Sequence, residues 1–116
     1  MTRKEALAEL IEDVIQDDWP SPHNCRLAGI NHTLSEVAYN GSLDAAKALH
    51  EAVLPGWDYI LTNAGEHGGE SPGPMAAVGE RDALERGDEP FKASTNILAR
   101  AWLLAILKAL DSMEKD

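Results

Sequence analysis

The residues best suited to chemistry in this chain are His23, Cys25, His32, His50 and His67. As metal ligands they have no standard spacing. The sequence holds no Cys-x-x-Cys pair and no pair of histidines one helical turn apart, so tetrahedral zinc binding lacks a template. All four histidines read as loop or helix-surface residues. Hydrolysis would need a nucleophile beside a base, or two carboxylates in one cleft. His50 with Glu51, and Glu66 with His67, have suitable side chains, but neighbouring residues on a helix point about 100° apart. The run GEHGGESPG at 65–73 has the glycines of a phosphate cradle. Glu66 and Glu70, however, stand where a phosphate needs positive charge, and the run lies between two predicted strands, so it reads as a hairpin loop. No catalytic residue, metal or cofactor is expected.

The elements that would position these residues are legible from apolar periodicity. Thr2 followed by Glu5 predicts a capping box, and Leu7, Leu10, Ile11, Val14 and Ile15 recur at helical spacing over 3–16. Two prolines in DDWPSPHN stop that helix. Residues 23–38 are the least readable, compatible with a strand near 34–39 or with a loop holding a helical turn. Ser42 caps a predicted helix at 43–54, whose face is Ala45, Ala46, Leu49, Ala52 and Val53, and Pro55 and Gly56 end it. WDYILT alternates as a strand does, with Trp57, Tyr59 and Leu61 on one face. MAAVGE at 75–80 is its antiparallel partner across the Gly-rich connection. RDALERGDEP predicts a helical turn closed by Gly87.

The strongest predicted helix spans 94–112. Its broad apolar face is Leu98, Trp102, Ala105, Ile106, Ala109, Leu110 and Met113. Leu103, Leu104 and Leu107 fall outside that face, so either another layer of the chain or a second subunit must cover them. These three are the candidate self-association residues. Trp19, Trp57 and Trp102 are the expected large anchors in an otherwise Ala-rich core.

Composition bounds the partners. The chain has 116 residues, 44% of them hydrophobic, and a formal charge of −10. That charge opposes a phosphate backbone or an anionic membrane, so neither nucleic acid nor membrane is an expected partner. The acidity is uneven, at −6 over residues 56–90 and +1 over 91–116. It serves solubility, or it forms a patch that imitates DNA. One cysteine gives no internal disulfide and points to a reducing cytoplasm. The acidic start resembles no signal peptide, and ILARAWLLAILKAL is too short and too charged to span a bilayer.

From Tyr39 through SLDAAKALHEAVLPGWDYIL, then a second short strand and ARAWLLAILKAL, the chain resembles small phage and prophage proteins with a phage ABA sandwich domain. Tyr39, Ser42, Asp44, Ala45, Ala46, Pro55, Gly56, Trp57 and the helix around Arg100 to Leu110 carry the resemblance, over roughly 37–110. The chain departs from it in a longer Gly-rich connection and an added acidic stretch at 80–89. The resemblance implies an alpha-beta-alpha arrangement and a phage or prophage origin, and no reaction.

The expectation is a single α+β domain over 1–116, with a small antiparallel sheet of two or three strands packed by three main helices. The expected function is that of a non-catalytic phage accessory protein, in the bacterial cytoplasm or the virion. It would act through a protein partner or as a homodimer. The alternatives are an acidic DNA mimic that inhibits a host DNA-binding protein, and a small hydrolase.

Overall fold

A computed structural model describes residues 2–16, 18, 21–62, 74–95 and 97–114. Among them are six helices and one sheet: α1 (Arg3–Ile15), α2 (Pro22–Ala28), α3 (His32–Tyr39), α4 (Leu43–Val53), β1 (Trp57–Thr62), β2 (Met75–Glu80), α5 (Arg81–Glu85), β3 (Phe91–Ser94) and α6 (Leu98–Met113). The fold is α+β. The sheet is antiparallel in the order β1-β2-β3, with Tyr59 opposite Val78 and Ala76 opposite Ala93. No described helix is long and apolar enough to cross a membrane.

The helix starts are chemical. Thr2 accepts from the Glu5 amide while Glu5 accepts from the Thr2 amide, a complete capping box. Ser42 accepts from Ala45 at 3.1 Å. Residues 23–38 differ from the expectation: the segment is two helices rather than a strand or loop. Ser21 caps α2 with Pro22 in its first turn, where the missing N–H costs nothing. Gly29 closes α2 in the left-handed region, with φ 77°, and Asn31 caps α3 by accepting from Leu34 at 2.9 Å. The second proline therefore begins a helix instead of prolonging a stop.

The predicted helix at 94–112 is shorter at its start, because Phe91–Ser94 pairs with β2 as a third strand. α6 is the middle layer of the molecule. One side lies on β2 and β3, and the other meets α1, α3 and α4. That position explains why its apolar surface extends well beyond one face, leaving only a strip with Arg100, Lys108 and Asp111 half-exposed. Leu103, Leu104 and Leu107 are 0%, 3% and 1% exposed, so layers of the same chain cover them and they offer no surface to a second subunit. Each such burial contributes roughly 1.5 to 3 kcal/mol. Met113, expected inside, is 53% exposed in the last turn of α6.

Polar ties lock the layers. Lys4 Nζ donates to the Asp111 carbonyl at 3.1 Å, near the carboxyl end of α6. Arg100 Nε donates to Tyr39 O at 3.0 Å, the last carbonyl of α3, while the guanidinium lies 3.8 Å from the centre of the Tyr39 ring. Trp102 is buried and Trp57 half-buried, as anchors should be. Trp19 and the Gly-rich connection at 63–73, including Glu66, His67 and Glu70, lie outside the described residues.

Candidate functional site

The candidate ligands that the structure describes, His23, Cys25, His32 and His50, do not converge. His23 and Cys25 are on α2, His32 opens α3, and His50 is in the last turn of α4. Among the described residues no three His, Cys, Asp or Glu side chains are grouped to hold a metal ion. His32 Nε2 lies 3.5 Å from Glu36 Oε2, an ion-pair distance without a hydrogen bond, one turn along its own helix. Cys25 is fully buried, and burial pushes its thiol up, offset in part by the Ser35 hydroxyl. A thiol so placed is a core residue rather than a nucleophile.

His50 corrects the surface assignment. It is 2% exposed, at the centre of the contact between α4, β1 and α6. Trp102 Nε1 donates to His50 Nδ1 at 3.3 Å, and His50 Nε2 lies 3.1 Å from the Trp57 carbonyl oxygen. Because an indole N–H can only donate and a carbonyl can only accept, the two partners select the tautomer protonated at Nε2. The Tyr59 ring closes the cluster, edge-on to His50 at 5.1 Å and 4.5 Å from the Trp102 ring. Both ring nitrogens are occupied, so neither is available to a substrate. Glu51, its neighbour in sequence, is exposed. The signal for His50 was present: Ala46, Leu49, His50 and Val53 share the i, i+3, i+4, i+7 stripe, whereas Ala52 is exposed.

The sheet's other face is more open. Alternation puts Asp58 and Ile60 on that face of β1, opposite Gly79 and Ala77 of β2. α5 covers part of it, and Gly79 is there because α5 comes close: a Cβ on Gly79 would sit 2.8 Å from Leu84 Cδ2. A groove of about 520 Å³ remains, lined by Asp58, Tyr59, Ile60, Ala77, Gly79, Leu84 and Pro90. Its rim carries the ion pair Asp58–Arg81, two-pronged at 2.9 and 3.3 Å. The Arg81 guanidinium holds the Asp58 carboxyl below its ordinary value. Ile60 is 60% exposed, the most exposed large apolar side chain described.

The two edges of the sheet are treated differently. At the β3 edge, Lys108 Nζ donates to Lys92 O at 3.2 Å, and Pro90 immediately precedes the strand. Lysine and proline are the usual guards of an exposed edge. At the β1 edge, Trp57 is satisfied at both backbone groups, its N–H by Leu54 O and its C=O by His50. Tyr59 and Leu61, two and four residues on, direct their N–H and C=O the same way. These groups have no partner among the described residues.

Compared with known proteins, the chain matches no family, no curated protein and no solved structure.

Proposed function

We propose that this chain is a small accessory protein of phage or prophage origin that works through protein-protein contacts and carries out no reaction. The supporting observation is where apolar surface is left exposed. Ile60 and Tyr59, at 60% and 39% exposure, lie beside the 520 Å³ groove on the sheet, while Cys25 and His50 are buried in the fold, His50 with both ring nitrogens engaged. The origin rests on the resemblance carried by Tyr39, Ser42, Asp44, Ala45, Ala46, Pro55, Gly56 and Trp57. A DNA-mimic role is less well supported, because the exposed carboxylates of α5 and its loop are interrupted by Arg81 and Arg86, which pair with Asp58 and Asp88.

The test is affinity purification of the tagged chain from a lysogenic bacterium that carries it, followed by calorimetry with the purified partner. Stoichiometric binding with a negative heat-capacity change is expected, the mark of buried apolar surface. Turnover of any ester, amide or phosphodiester substrate by the pure chain, abolished in His50→Ala, would overturn the proposal.

A further inference from the structure

Among the described residues nothing covers the β1 edge beyond Trp57, and its pattern matches itself. The groups without a partner among the described residues belong to Tyr59 and Leu61, and those of Trp57 are already used. Antiparallel pairing with an identical edge therefore has one register that satisfies all of them, with Tyr59 of each copy opposite Leu61 of the other. Both residues then exchange N–H and C=O bonds across the two-fold axis, giving four hydrogen bonds. In that register Ile60 meets Ile60 at a non-hydrogen-bonded position, where opposed Cα atoms are about 4.5 Å apart. The most exposed apolar side chain on each copy would thus cover its counterpart.

Charge agrees with the same register. Asp58 is the only charged residue of WDYILT, and it falls opposite Thr62 rather than opposite another Asp58. Its carboxylate is also neutralised by Arg81 at 2.9 Å. By contrast, the β3 edge has Lys92 in the strand and Lys108 on its carbonyl, and a second copy there would bring lysines together.

We infer that two copies of this chain associate through antiparallel β1–β1 pairing about an axis at Ile60, making a six-stranded sheet in the order β3-β2-β1-β1-β2-β3. A six-residue strand is a small contact, so the dimer dissociates in the micromolar range rather than below it. The inference goes beyond the proposed function and concerns the pure chain alone, so a failed partner search leaves it standing.

Sedimentation equilibrium on the wild type, Ile60→Lys and Ile60→Cys tests it. Ile60 is on the surface, so neither substitution threatens the fold, which circular dichroism verifies. The wild type is expected to dimerise at high micromolar concentration, and Ile60→Lys to weaken that dimer at least about tenfold. Under mild oxidation Ile60→Cys should form a covalent dimer, since Cβ atoms at such a position are about 4.5 to 5.5 Å apart, close to disulfide reach. Val37→Cys, exposed on α3, should not. A wild type that stays monomeric at those concentrations, or a dimer indifferent to Ile60→Lys, would overturn the inference.

Discussion

Trp102 and His50 come from helices 52 residues apart in sequence, and the indole N–H of one is bound to the imidazole of the other at 3.3 Å. That bond joins the central helix to the helix before the sheet, and the Trp57 carbonyl extends it to the first strand. His50→Leu would leave the buried indole N–H and the strand carbonyl without partners. A loss of roughly 2 to 4 kcal/mol is expected by urea unfolding, partly recovered in His50→Gln, which keeps a donor and an acceptor. A His50→Leu variant within about 0.5 kcal/mol of the wild type would contradict this role.

Leu103, Leu104 and Leu107 should behave as core residues. Leu103→Ala and Leu107→Ala are each expected to cost about 2 to 5 kcal/mol, with no effect on self-association beyond that due to unfolding. An interface leucine would show the reverse pattern, a weakened dimer at unchanged monomer stability. Unfolding curves and sedimentation on the same variants separate the two.

Most of the architecture could be read in advance where local chemistry and tertiary structure agree. Thr2, Ser42, Pro55–Gly56 and the alternation of β1 act within a few residues, so their signals survive translation into structure. What was missed depended on neighbours far along the chain. On a wheel drawn with one buried face the leucines of α6 look stranded, but a helix between two layers buries two sides and keeps only a narrow polar strip, with Arg100, Lys108 and Asp111, near the surface. His50 looked like a surface histidine because its two partners, Trp102 and the Trp57 carbonyl, are brought to it only by folding. The α2–α3 pair has local signals of its own: Ser21-Pro22 and Asn31 are helix starts, because a proline in the first turn opens a helix rather than breaking it. Edge exposure at Tyr59 and Leu61 is a property of strand order, which composition does not encode.

Two carboxylates should shift stability with pH in opposite directions. Asp58 is held below its ordinary value of 3.8, chiefly by its hydrogen bond from Arg81. Its contribution is therefore present above that value and lost as pH falls through the lower folded-state value. Asp13 is raised above 3.8, first by burial and then by Asp18, Glu9 and Glu12. Its charge opposes folding at neutral pH, and the penalty lifts as pH falls through its raised value. Asp13→Asn is accordingly expected to stabilise the protein at neutral pH and Asp58→Asn to destabilise it. Both differences should shrink at pH values below the ordinary carboxylate range. Unfolding midpoints at the two pH values provide the comparison, and effects of equal sign at neutral pH would contradict it.

Gly79 and Leu84 should be coupled. The added methyl of Gly79→Ala meets Leu84 Cδ2 at 2.8 Å, so α5 or its leucine must move, at an expected cost of about 1 kcal/mol. In a Leu84→Ala background the same change should cost close to nothing. A double-mutant cycle with no interaction energy would show that α5 does not rest on this position.

The most direct measurement is amide hydrogen exchange at Tyr59 and Leu61 as a function of protein concentration. Rapid exchange in dilute solution is expected, slowing as concentration rises in the wild type and remaining rapid in Ile60→Lys. Protection of both amides that is already complete when dilute, and unchanged by concentration or by Ile60→Lys, would mean that the edge is closed within one chain and would contradict the account.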